Sequence, residues 1–108
     1  MTISATGFAR TDKASRYLQQ LCKHWEHNLK VEFTADHGTI VFPRDGRGAE
    51  WPAYGTVTLD AEADRLAIRV DASAAGQLEG LKGAIERHID RFAFRENGLK
   101  YEWSEGGA

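Results

Sequence analysis

Among the side chains of this protein, the four histidines are best equipped for chemistry, and two of them share one setting. His24 and His88 each sit on the shoulder of an amphipathic helical stretch, at the margin of its apolar stripe. At about 100° per residue, His24 lies beside Tyr17, and His27 falls roughly 60° further toward solvent. A neutral imidazole is a good transition-metal ligand and a hydrogen-bonding group near neutral pH. Arg91 stands one turn beyond His88, within the series Arg87, Arg91, Arg95 at i, i+4, i+8. Guanidinium groups so spaced can hold a carboxylate, a phosphate or a propionate-like group through bidentate contacts. Glu86, Asp90 and Glu96 are the local partners that would instead make this a solvated face. His37, in Asp36-His37-Gly38, can touch a ligand from a loop or simply accompany a turn.

A third metal ligand is not evident beside these residues. His24 and His27, at i, i+3, can meet at one ion, but no nearby carboxylate completes the usual helical zinc signature. Cys22 points about 160° away from His24 around the helix, so the two cannot share an ion. It reads as a small core residue rather than a nucleophile. The chain has no Gly-rich phosphate loop, no Gly-x-Ser-x-Gly elbow and no paired-cysteine motif. No acid/base pair stands at a catalytic spacing, so no catalytic residue is nominated, and the reading leans away from an enzyme. Metal and cofactor identity stay unknown at this point.

These groups need a scaffold, and hydropathy periods supply it. Ile3–Arg10 is a short first strand. Thr11 or Asp12 can cap a helix over 13–28, with Ala14, Tyr17, Leu18, Leu21, Cys22 and Trp25 at helical spacing. Residues 29–35 alternate, with Val31, Phe33 and Ala35 on one face. Asp36-His37-Gly38 is expected to turn the chain through a positive φ at Gly38, before a returning strand at 39–42. Residues 44–53 hold Gly46, Gly48, Pro52 and a lone Trp51, and are expected to be irregular. Trp51 either closes over a pocket or packs back on the domain edge. Strands follow at 54–60 and 65–71. Ser73 can cap a second helix, with Leu78, Leu81, Ile85, Ile89 and Phe92 on its core face. Asn97-Gly98 marks a turn before a last strand at 99–104, and 105–108 should fray.

The predicted order is β-α-β-β-β-β-α-β. Outward strand positions are mostly Thr, Glu, Lys and Arg, so one sheet face is wet and the other is covered by both helices. The expected fold is an α+β two-layer sandwich, a single domain over 1–108 on a mostly antiparallel sheet. Leu21, Trp25, Leu81, Ile85 and Ile89 should pack against Val31, Phe33, Leu66, Ile68 and Val70. The chain also hints at an internal repeat. Leu29-Lys30-Val31-Glu32-Phe33 is echoed by Leu99-Lys100-Tyr101-Glu102-Trp103. The offset between His24 and His88 also pairs Ala14 with Leu78, Leu21 with Ile85 and Trp25 with Ile89. A pseudo-two-fold pair of strand–helix–strand units is therefore possible.

Composition bounds the rest. The chain has 108 residues, 42% apolar and 28% charged, within the ordinary range of one globular domain. A net charge of −2, with the signs well mixed, gives no field to attract nucleic acid or anionic lipid. Basic and aromatic residues do not interleave as on a nucleic-acid platform. No segment approaches a membrane span. A single cysteine and the absence of a secretory signal make the cytoplasm the expected compartment.

Three stretches carry a resemblance. They are Arg16-Tyr17-Leu18-Gln19-Gln20-Leu21-Cys22-Lys23-His24, then His37-Gly38 with Ile40 and Phe42, and Glu86-Arg87-His88-Ile89-Asp90-Arg91-Phe92-Ala93-Phe94-Arg95-Glu96. They resemble the small bacterial family catalogued as domain of unknown function 2218, from about Ala5 to Trp103. The segment 44–54 looks longer than usual for that family, so Trp51 inherits no role from it. The resemblance implies an association with siderophore-reducing and iron-uptake proteins, and draws attention to His24, His37 and His88.

The reading that follows is a cytoplasmic accessory binding module for an iron-containing or anionic small ligand. Its candidate ligand-binding residues are His24, His88, Arg91 and His37, and a siderophore-reducing protein is a possible partner. His24 and His88 should border one concave surface with Arg91. The alternative is a protein-interaction module without a ligand of its own, docking through a sheet edge or the 44–53 loop. A small enzyme whose site forms only in a dimer is a third class.

Overall fold

Two apolar periods sort the elements onto the two sides of one layer. The computed structural model describes residues 2–46, 49–96 and 99–105. Along the chain run β1 (Ile3–Arg10), α1 (Ala14–Trp25), β2 (Lys30–Phe33), β3 (His37–Phe42), β4 (Asp45–Gly46) and β5 (Ala49–Glu50). They are followed by β6 (Gly55–Ala61), β7 (Arg65–Ala72), α2 (Ala75–Phe92) and β8 (Tyr101–Glu105). Six strands form one sheet in the order β2-β3-β6-β7-β1-β8, every neighbouring pair antiparallel. Both helices lie on one face of it. α1 covers β2, β3, β6 and β7, while α2 covers β7, β6 and β1. This is the expected α+β sandwich. None of the described helices is long and apolar enough to cross a membrane.

The period-two residues of the strands meet the 3.6-period residues of the helices. Ile40, Val57, Leu59, Leu66 and Val70 close against Leu18, Leu21, Leu78, Ile85 and Ile89, all without solvent exposure or nearly so. Trp25 and Leu81 are also buried, and Val31 and Phe33 are half-buried at the margin. Such burial removes each side chain from water at roughly 1.5–3 kcal/mol apiece.

Gly38 departs from expectation. It lies inside β3, buried and paired with Phe33 and Leu59, and its backbone is not in the left-handed region. The turn is instead made by residues 34–37. The Thr34 N–H donates to the His37 carbonyl at 2.7 Å, and Thr34 Oγ1 accepts from the Asp36 and His37 amides. Glycine is needed at 38 for closeness. A Cβ there would come within 2.8 Å of Cys22 Sγ on α1, so the missing side chain lets the helix settle onto the sheet.

The 44–53 loop is more ordered than its composition suggests. β4 and β5 pair as a small ribbon, with Asp45 opposite Glu50. Trp51 packs back on the fold, against the first turn of α2: a Cβ on Gly76 would sit 3.0 Å from Trp51 Cη2. Ala53 is tied down by Ser73 and Gln77. Its N–H donates to Ser73 Oγ at 3.1 Å, and its carbonyl accepts from Gln77 Nε2 at 3.0 Å. Ser73 therefore stands just outside α2, whose N-cap is Ala74. Gln77 Oε1 reaches back to accept from both the Ser73 N–H and the Ser73 hydroxyl at 2.6 Å, which ties the approach to α2 without capping it. At α1 the N-cap is Lys13 rather than Thr11 or Asp12. The turn expected at Asn97-Gly98 and the tail at 106–108 lie outside the described residues.

The internal repeat is realised only in part. β2 and β8 take the two edges of the sheet. Each runs parallel to the strand that precedes its helix, as the antiparallel pairings require. The crossover from β1 to β2, however, passes three strands, while that from β7 to β8 passes only β1. The two units thus match at their edges but not in their spans.

Candidate functional site at the junction of the two helices

His24 belongs to the last turn of α1 and His88 to the final third of α2. Their amphipathic stripes both face the sheet, so their shoulders meet where the helices touch. The two imidazole centroids are 5.0 Å apart, with ring planes 49° apart. Trp25 forms the floor. Its ring lies 5.0 Å from that of His88 and edge-on to Phe42 at 4.9 Å. Phe92 closes the side, 6.3 Å from His24. His24 is exposed and His88 half-buried.

The tautomer of His88 is set by its neighbour. Its Nδ1 lies 2.7 Å from the Ala84 carbonyl oxygen. A carbonyl only accepts, so Nδ1 carries the hydrogen, and in the neutral ring Nε2 keeps its lone pair. This outer hydrogen bond is the arrangement that orients metal-ligating histidines. For His24, which stays exposed, partial desolvation by the neighbouring rings comes first, and the charges of His88, Arg91 and His27 add to it, in holding the imidazole below its ordinary pKa of 6.5. Both effects favour the neutral, ligating form at His24.

The spacing discriminates between modes of ligation. With metal–nitrogen bonds near 2.0–2.1 Å, two imidazoles in adjacent positions on one ion have centroids roughly 4.5–5.2 Å apart, and two in opposite positions roughly 6.4 Å. The observed 5.0 Å lies within the first range and is also a ring-contact distance, the same as that between Trp25 and His88. It does not fit a haem held between the two rings. Among the described residues no group of three or more His, Cys, Asp or Glu is placed to hold a metal, so the histidine pair would be the whole protein contribution.

Arg91 is exposed and close enough to depress His24. Neither Arg91 nor Arg87 is in an ion pair among the described residues. The side chain of Arg95 lies outside the described set. The carboxylates assigned by sequence to these arginines are committed elsewhere. Glu86 accepts from Trp103 Nε1–H at 2.7 Å. Asp90 Oδ1 accepts from the Leu99 N–H at 3.1 Å and the Tyr101 hydroxyl at 3.0 Å. Glu96 accepts from the Tyr17 hydroxyl and, at 3.3 Å, from Thr11 Oγ1. Glu86 and Asp90, at i, i+4 on α2, thus meet Trp103 and Tyr101, at i, i+2 on β8. The alternation of aromatics on that strand was the available signal.

His37 does not join this cluster. Gly38 faces α1, so His37 faces the open side of the sheet, where Nδ1 lies 2.7 Å from Asp60 Oδ1. Asp60 in turn lines a depression of about 470 Å³ on that face, with Thr6, Phe8, Arg65 and Arg69. Cys22 is fully buried, and burial, followed by the charge of Glu26, pushes its thiol up to about 11, which suits a core residue.

The buried phenols lead to a pH prediction. Burial, then the hydrogen bond to Glu96 and the charge of that carboxylate, push Tyr17 up from 10.0 to about 12. Tyr101 is raised by burial and by Asp90. A raised phenol stabilises the fold fully below its unfolded value and loses that contribution as pH climbs through the folded one. Stability should therefore fall between pH 10 and about 12, and Tyr17→Phe should flatten the fall. Urea midpoints of the two proteins measured across this range check it; parallel declines would refute the assignment.

The fold and site together define a two-layer α+β sandwich that carries paired imidazoles at its helix junction. The chain belongs to the bacterial family described as "Uncharacterized protein conserved in bacteria" (domain of unknown function 2218), whose model matches residues 6–104. It is similar to PA4090 from Pseudomonas aeruginosa, known from an NMR structure, at 27% identity and a TM-score of 0.73, covering 94% of this chain and 95% of that one. No curated protein matches it.

Proposed function

We propose that this protein is an accessory binding module for an iron-containing or anionic small ligand, seated where α1 meets α2. His24 and His88 supply imidazole nitrogens and Arg91 supplies the countercharge. The observation that carries this reading is the 5.0 Å approach of two histidines from separate helices, one of them with Nδ1 committed to a backbone carbonyl. Arg91, without a carboxylate partner among the described residues, supports the anionic character. The family resemblance adds iron and siderophore use as context. His37 falls outside this reading because it lies on the other face.

The test is metal content and visible absorbance of the purified protein before and after addition of a ferric siderophore, with Co²⁺ as a simple probe of imidazole ligation. The wild type should bind about one equivalent, and the His24→Ala/His88→Ala variant should lose binding at least about tenfold, or 1.4 kcal/mol. Retained binding in the double variant would sink the reading.

A further inference from the structure

The outer edge of β2 has no strand beside it, and its residues complement themselves. We infer that β2 pairs antiparallel with β2 of a second copy of this chain, about a two-fold axis at Val31, so that the two sheets join into one.

β2 ends the sheet and has β3 as its only neighbour among the described residues. The hairpin sets which of its backbone groups are free. The Thr34 N–H donates to the His37 carbonyl. Pairs alternate along an antiparallel ladder, so Lys30 and Glu32 also turn their amides and carbonyls toward β3, while Val31 and Phe33 turn theirs outward. Such an edge is a template for a further strand. Pairing centred on Val31 lets that residue exchange two hydrogen bonds with its counterpart. The Phe33 N–H then reaches the Leu29 carbonyl of the second copy; the Leu29 N–H is already given to the Trp25 carbonyl at 2.8 Å.

The same register sets Lys30 against Glu32 of the second copy, and Glu32 against its Lys30, on the open face, with Cβ atoms about 4.5–5.5 Å apart. Both residues are exposed, and neither has an ion pair within its own chain among the described residues. On the helix-covered face, half-buried Val31 meets its counterpart and Phe33 meets Leu29. Charge excludes the other registers. A slip of two residues sets Glu32 against Glu32, or Lys30 against Lys30, and a slip of one turns the free backbone groups away from each other. The opposite edge, β8, lacks this property. Residues 101–105 hold Glu102 and Glu105 and no cation, so no register of β8 on itself opposes unlike charges. The Leu-Lys-x-Glu-aromatic run recurs at 99–103, but Lys100 lies outside that strand.

A short edge buries little area, so the association is weak, and sedimentation equilibrium from about 10 μM to about 1 mM is the measurement that reads it. The wild type, 12.0 kDa as one chain, should move toward twice that mass and no further. Glu32→Lys and Lys30→Glu should each weaken the dimer at least about tenfold, because each sets like charges opposite one another. An equal mixture of the two variants should associate again, since every facing pair is then of opposite sign. Glu102→Lys, on β8, should change nothing. All three positions are exposed, and circular dichroism checks that the variants keep the fold. A monomer at every concentration would overturn the inference. So would a dimer indifferent to the two reversals, or a mixture that stays monomeric. A mass that climbs past two chains would do the same, because it marks β2 of one copy pairing with β8 of the next.

Discussion

Ile85→Ala is expected to cost about 2–5 kcal/mol of folding stability. Ile85 is without solvent exposure at the middle of α2, between Leu81 and Ile89 on the stripe that faces the sheet. Its removal takes three carbons from a site enclosed by α2 and the strands beneath it. Neither the strands, locked by cross-strand pairing, nor a helix anchored at both ends can close the gap fully. A urea midpoint lowered with an unchanged slope is the expected signature. A cost below about 0.5 kcal/mol would mean that the face is not core.

Asp90→Ala should cost about 2–4 kcal/mol, because one carboxylate oxygen accepts from both the Leu99 amide and the Tyr101 hydroxyl. Hydrogen bonds to a charged acceptor contribute about 1.5–3 kcal/mol, and a half-buried phenol left without an acceptor adds a desolvation cost. These bonds pin the entry of β8, an edge strand whose only neighbour in the sheet is β1. Hydrogen exchange of the amides linking β8 to β1 should accelerate in the variant while those between β6 and β7 hold. Tyr101→Phe should cost less in the Asp90→Ala background than in the wild type, with a coupling of roughly 1 kcal/mol. Additive costs would show that the two groups do not act together.

Much of the scaffold was legible in local pattern. Alternation at Leu66, Ile68 and Val70, and helical spacing at Leu78, Leu81, Ile85 and Ile89, assigned element type and buried face together, because side-chain direction repeats every two residues in a strand and every 3.6 in a helix. The same logic placed His24 and His88 on the shoulders of their stripes. It misjudged Gly38, because glycine beside Asp36 and His37 carries the same local signature whether it turns the chain or admits a helix. The reason for that glycine lies in Cys22, far along the chain.

What the sequence by itself determined is therefore the two helices, the six strands of the main sheet, their buried faces, and the kinds of side chain left at their margins, but not the β4–β5 ribbon. Only the tertiary structure decided which margins touch. The edge positions of β2 and β8, the commitment of Glu86 and Asp90 to β8 rather than to arginines, the removal of His37 to the open face, and the meeting of His24 with His88 all depend on strand order and helix placement. Those are settled by how the chain closes long loops around a shared core, a global balance of burial against entropy that no local spacing records.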